Sequence, residues 1–238
     1  MHRSSRLRKP RPNSRRRNRS RHHSSGSGFD LLHRTLNRPG VLKRRPADTA
    51  CDFLVAVTAR FRVLYVFVMM EIGSRRVLHY NVTAHPTAEW TLQQLREAIP
   101  SDHPYQFLIH DRDSIFSRNL DKELKGSFGL RVLRTPVRAP KANAYCERLI
   151  GTVRRECLDF MIPLNERHLR RSLQCWIAHY NKGRPHSSLG PGFPEQTSDR
   201  PRRRPTTHRH RLPRDCEIRV MDVLGGLHHE YWLDEIVA

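Results

Sequence analysis

The stretch IHDRDSIF, residues 109–116, sets two carboxylates, Asp111 and Asp113, directly after the apolar run Phe107-Leu108-Ile109. A carboxylate at the C-terminal edge of a central strand is costly to desolvate unless something positive meets it, usually a metal ion or an arginine. Acids are scarce enough here for their placement to matter, with 44 Lys+Arg against 23 Asp+Glu and a formal charge of +21. Two further acids sit inside structured patterns: Asp52 within the apolar run CDFLVAV, and Glu147 in the first turn or so of a helical pattern that starts near Ala144. Taken singly, each reads as an ordinary strand-end or helix-surface carboxylate. Carboxylate oxygens are the donors that Mg2+ or Mn2+ takes in preference to Cys or His, so a hard divalent ion is the metal that such acids would meet.

The elements that must position these acids follow from periodicity. CDFLVAV and VLYVFVMMEI are β-rich runs joined by the short polar TARFR, hence a hairpin, and RRVLHYNVTA adds a third antiparallel strand. TAEWTLQQLREAI places Trp90, Leu92, Leu95 and Ile99 at helical spacing, with Thr87 as N-cap. YQFLIHD reads as a short strand covered on both faces, NLDKELKGSFG as a helix closed by glycine and LRVLRT as a fifth strand. Two long helical patterns then run from about residue 144 to 160 and from about 166 to 180. Three antiparallel strands, a crossover helix and two more strands each followed by a helix describe an α/β ribonuclease H-like fold. Its mixed five-stranded sheet carries helices on both faces and presents carboxylates at strand ends.

The charge is concentrated. Residues 1–46 carry 15 Lys/Arg and one acid, Asp30, and so supply +14 of the total. That arm is rich in Arg, Ser and Pro and poor in apolar residues, which predicts a disordered, DNA-attracting segment without the apolar core of a secretory signal. No run approaches the roughly 18 apolar residues of a membrane span. The five cysteines, Cys51, Cys146, Cys157, Cys175 and Cys216, show no metal-ligand spacing and fit buried thiols in a reducing compartment. The expected organisation is arm 1–46, catalytic core 47–195, and a basic Pro-rich linker with a short tail, 196–238, that is not an independent domain.

CDF, DRDSIF and RAPKANAYCERLIGTVRREC resemble the D, D and E boxes of the integrase-core transposases, which include retroviral integrases and bacterial insertion-sequence enzymes. HYNKGRPHSSLG resembles the segment that commonly follows the glutamate helix in the bacterial members, and VLGGLHHEY a tail found in one bacterial subgroup. The resemblance covers residues 47–195. It implies Asp52, Asp111 and Glu147 as catalytic metal ligands, Asp52 bridging two Mg2+ or Mn2+ ions and the other two holding one each. The family pattern D-x-x-S-x-F/Y matches Asp111, Ser114 and Phe116, so the resemblance implies Asp111 as the ligand, and Asp113 is expected to turn to a local arginine such as Arg112 or Arg118. Activity is expected to be DNA strand cleavage and strand transfer, with DNA and further copies of the chain as partners, no membrane, and a bacterial cytoplasmic, nucleoid-associated location.

Lys141 and Asn143 match the basic residue and Asn of the third box. With Arg148 and Arg154, the latter seven residues beyond Glu147 and so on nearly the same helix face, they are the expected DNA contacts. Arg184 and His186 stabilise a helix junction or touch DNA, His186 reading as structural. The family's N-terminal recognition region has no counterpart in this sequence, so the alternative is a truncated remnant that binds DNA without chemistry.

Overall fold

Alternation along the first two apolar runs decides which side chains each face of the sheet buries. In the computed structural model, which describes residues 48–113, 115–135, 143–190, 192–195 and 216–235, β1 (Thr49–Val57) pairs antiparallel with β2 (Val63–Glu71) along its whole length. β3 (Val77–Thr83) continues antiparallel on β2, with a bulge at Met69/Met70. On the other side of β1 lie two short parallel strands, β4 (Phe107–His110) and β5 (Arg131–Arg134), giving the order β3-β2-β1-β4-β5. The arm, Ser114, Lys141 and the linker 196–215 lie outside the described residues, as does the Arg118 side chain.

Cys51, Phe67 and Met69 point to one face, where they are buried with Leu95, Ile99, Leu120 and Leu124 from α1 (Ala88–Ala98), its cap and α2 (Arg118–Phe128). The alternate residues Leu54, Val66, Val68 and Met70 are buried on the opposite face. There α3 (Ala144–Glu156) packs on β1 and β2, and α4 (Glu166–Lys182) on β3, with Trp176, Leu169 and Leu173 fully buried. This is the ribonuclease H-like architecture expected from the sequence.

The helices start where their caps place them. Thr87 accepts from Trp90 N at 3.1 Å, Ser117 from Leu120 N at 3.2 Å and Asn165 from His168 N at 2.9 Å, each meeting one of the unpaired donors of a first turn. Asn181 of α4 covers the open edge of β3 in place of a sixth strand: its amide accepts from Val77 N and donates to Val77 O, both at 2.9 Å.

Two elements differ from expectation. The helix expected to reach residue 160 ends at Glu156, and Leu158–Phe160 form a 3-10 turn. Arg184 fixes that end with two bonds to Glu156, at 2.8 and 2.6 Å, and Phe160 beyond it is exposed. The C-terminal stretch, expected as a short tail that is not an independent domain, forms a hairpin, β6 (Cys216–Val223) with β7 (His228–Glu235), turned through Leu224, Gly225 and Gly226 in left-handed conformations. It docks on the end of α4 and α3. His179 pairs with Glu230 at 2.8 Å and stacks on His228, whose Nε2 meets the Glu156 carbonyl at 2.7 Å.

Candidate active site

β1 and β4 run parallel and pair at Thr49–Leu108 and Ala50–Ile109, so Asp52 and Asp111 stand just beyond the last paired residues of adjacent strands. Asp52 is largely buried. Its Oδ1 accepts from Phe53 N at 2.7 Å and its Oδ2 from Asn143 Nδ2 at 3.2 Å. Burial pushes its carboxyl up from 3.8 to about 7; the Phe53 N–H bond opposes this, and the charges of Asp111, Glu147 and Asp113 push further in the same direction. Three carboxylates from β1, the loop after β4 and the first turn of α3 therefore feel one another across one small region.

Asp111 is held from behind. His110, fully buried at the end of β4, stacks on Phe116 with ring centroids 4.4 Å apart, and its Nδ1 lies 2.5 Å from the Asp111 carbonyl. Its Nε2 lies 3.1 Å from Asp121 Oδ1, and Asp121 in turn takes Arg134 at 2.5 Å. On the open side, Asp111 Oδ1 accepts from Asp113 N at 3.0 Å. Asp113 is exposed, and its own Oδ1 accepts from Ile115 N at 3.2 Å, a local turn. Arg112, one of the arginines expected to meet Asp113, donates instead to the Thr135 carbonyl at 2.7 Å. The His110–Asp121–Arg134 chain was not anticipated; the only trace in the sequence is a histidine closing the apolar run FLI.

Glu147 lies exposed in the first turn of α3, and Arg148 and Arg154 are exposed on the same helix. Arg154 Nη2 reaches the Val55 carbonyl at 3.4 Å, on the edge of β1 that β4 is too short to cover. Asn143 differs from expectation. Expected to touch DNA, it is 3% exposed; its Nδ2 donates to the Cys51 carbonyl at 3.3 Å as well as to Asp52, and its Oδ1 is buried without a partner among the described residues. It ties the start of the glutamate helix to the aspartate strand. Cys51 and Cys146, the neighbours of Asp52 and Glu147, are buried free thiols pushed well up, first by desolvation and then by each other or by the adjacent carboxylates. Arg184 and His186 belong to the helix junction, the former through Glu156 and the latter edge-on to Tyr180 at 4.7 Å.

The donor chemistry of Asp52, Asp111 and Glu147 fits a hard divalent cation, and the burial and like-charge repulsion that raise Asp52 are what such an ion would offset. Among the described residues no three His, Cys, Asp or Glu side chains are already drawn together closely enough to hold an ion.

Comparison with known proteins agrees with this architecture. A family model described as integrase core domain matches residues 129–194. The chain is 26% identical over 146 residues to the transposase InsD for insertion element IS2A/D/F/H/I/K of Escherichia coli, covering 58% of this chain and 47% of that relative. InsD for insertion element IS2E of strain K12 matches at the same identity over 65% of its length, so the chain spans between about half and two thirds of these relatives. A chain of a simian T-cell lymphotropic virus intasome superposes with a TM-score of 0.54 over 82% of this chain and 68% of that one, at 13% identity, a likeness of fold.

Proposed function

We propose that this chain, which belongs to the integrase-core transposase family, catalyses metal-dependent DNA strand cleavage and strand transfer. The observation that most supports this is the crowding at Asp52, a buried carboxylate whose proton affinity is raised by burial and by Asp111, Glu147 and Asp113 at the open end of the sheet. Cleaving a phosphodiester takes an in-line water, and joining takes an in-line 3′-hydroxyl, each approaching phosphorus past negative oxygens. Two Mg2+ or Mn2+ ions, when held by Asp52, Asp111 and Glu147, would activate the nucleophile and neutralise that charge.

The chain's own residues do the positioning. Phe53 N–H and Asn143 Nδ2 fix the two oxygens of Asp52, and Asp113 N–H with buried His110 fixes the loop that carries Asp111. Asn143 is thus a positioning residue rather than a DNA contact. Arg148, Arg154 and Lys141 take the DNA backbone, where each phosphate neutralised strengthens binding and makes it more sensitive to salt. The reading extends to a homo-oligomer on paired DNA ends, acting at the bacterial nucleoid. The alternative of an idle DNA binder is the less favoured, because all three carboxylates are retained at the site.

The test is Mg2+- or Mn2+-dependent strand transfer by the full chain on DNA bearing the sequences that flank its gene. Asp111→Asn and Glu147→Gln should abolish joining while DNA affinity stays within about twofold, and Asp113→Asn should retain joining. Joining that survives Glu147→Gln, or that is lost only in Asp113→Asn, would overturn the ligand assignment.

A further inference from the structure

We propose that the turn Arg60-Phe61-Arg62 at the tip of the β1–β2 hairpin is a second DNA contact, in which Phe61 stacks on an unpaired base while the two arginines hold its flanking phosphates. This rests on the reading of the chain as a DNA-acting enzyme and adds a place where the DNA is gripped outside the carboxylate site.

Among the described residues, the turn exposes the most accessible large apolar side chain. Phe61 is 89% exposed, with φ at +57°, a region that bulky residues rarely enter. Glycine or asparagine would make the same turn without the backbone strain or the exposed ring, so the turn alone does not account for a phenylalanine here. Its conformation is fixed. Thr58 N donates to Arg62 O at 3.0 Å, Arg62 N to Thr58 Oγ1 at 3.1 Å and Phe61 N to Thr58 O at 2.8 Å, while Ala59 N donates to Pro163 O at 2.8 Å in the loop before α4. The ring is therefore presented on a braced support.

Both flanking arginines are exposed, and neither forms an ion pair among the described residues. They border an open cavity of about 460 Å3 that also reaches Leu164 and Glu166, and the Glu166 carboxylate is already taken by Arg170 at 2.7 Å. Two uncompensated guanidiniums around an exposed aromatic form the combination that suits an unpaired nucleotide, cation for phosphate and ring for base.

Position supports the same partner. β1 and β4 are parallel, so the hairpin tip projects from the end of the sheet at which Asp52 and Asp111 stand. From Asp52 the strand continues five residues to Val57, about 17 Å at roughly 3.3 Å per residue. That is about five nucleotides of duplex at roughly 3.4 Å each. Arg154, bonded to the Val55 carbonyl, lies between the two and extends the line of positive charge from the helix of Glu147 to the tip.

The experiment uses the full chain with a photoreactive benzoyl-phenylalanine at position 61, together with Phe61→Ala, Phe61→Trp and an Arg60→Ala/Arg62→Ala pair. The probes are a blunt duplex and the same duplex ending in an unpaired five-nucleotide arm. Taking the ratio of the two affinities cancels binding common to both. Crosslinks should form to nucleotides of the arm and be lost in the double arginine variant. Phe61→Ala should lower the preference for the forked over the blunt probe by roughly tenfold, and Phe61→Trp should retain it. Crosslinks only to a second protein molecule, or an unchanged ratio in Phe61→Ala with the wild type still binding DNA, would overturn the tip assignment alone. A wild type that binds neither probe would overturn the DNA-acting reading as well.

Discussion

Replacing Asp52 with Asn should make the metal-free chain more stable at pH 8, although it removes a residue proposed to be essential. The carboxyl is raised from 3.8 to about 7 in the folded chain, so the fold disfavours its charged form. The sign follows directly. A raised group contributes nothing adverse below the unfolded value near pH 4, where it is protonated in both states, and the penalty grows as pH rises towards 7, where it must ionise in place. At 1.36 kcal/mol per pH unit, a shift of about three units amounts to about 4 kcal/mol. Water at the open side of Asp52 screens part of this, leaving a penalty of about 2–4 kcal/mol above pH 7.

For a domain of this size each kcal/mol moves the melting temperature by about 2–4 °C. Calorimetry in EDTA should therefore show the wild type losing on the order of 5–15 °C between pH 4 and 8 relative to Asp52→Asn, with the two converging near pH 4. Adding Mg2+ at pH 8 should stabilise the wild type and leave the variant nearly unmoved, because an ion that binds only the folded state stabilises it by mass action. Wild type and variant melting in parallel from pH 5 to 8, with and without Mg2+, would refute the reasoning: Asp52 would then lie in no charge-crowded pocket.

Two further outcomes follow from the contacts. Asn143→Ala should cost about 1–2 kcal/mol through loss of the bond to a carboxylate, offset in part by removing the orphaned Oδ1, and should raise the Mg2+ concentration needed for half-maximal thermal stabilisation severalfold. An unchanged Mg2+ midpoint would show that Asn143 merely packs. A Cβ at Gly183 would run into the Glu230 carboxylate, so Gly183→Ala and Glu230→Ala should each loosen the C-terminal hairpin by breaking the same His179–Glu230 pair. Hydrogen exchange in β6 and β7 should rise similarly in both and no further in the double variant, whereas additive effects would show two separate contacts.

The strands, their succession along the chain and the Thr87 cap were legible because they depend on local pattern. Alternation placed the sheet residues, Thr87 falls where a side-chain oxygen precedes apolar periodicity, and the acids end or interrupt apolar runs. Asn143 was not legible in the same way. Helical periodicity fixes the face of Glu147 and Arg154, but the direction of a residue just before the helix is set by Cys51 and Asp52, more than 90 positions away. His110 was passed over because Asp121 and Arg134 reach it only once α2 and β5 are in place. The C-terminal hairpin carried its signals, Gly225-Gly226 between alternating residues, yet its alternation runs against the usual sense. Ile218, Val220, Tyr231 and Leu233 face solvent, while His228 and Glu230 make the docking contacts.

A site assembled from acids that repel one another needs ties that the acids themselves cannot provide, and these ties are unevenly distributed. Asp52 has an N–H donor on each oxygen, and Asp111 has one on Oδ1 with a buried histidine behind its backbone. Glu147 is exposed on a helical turn, and its place depends on where α3 begins. That start is tied to β1 through Asn143, which bonds both the strand backbone and the Asp52 carboxylate. The two aspartates are thus fixed by the sheet and its first loop, and the glutamate by the packing of α3 on β1 and β2 together with one buried amide at the helix start. Loosening that amide should displace Glu147 relative to Asp52 and leave Asp111 where it is.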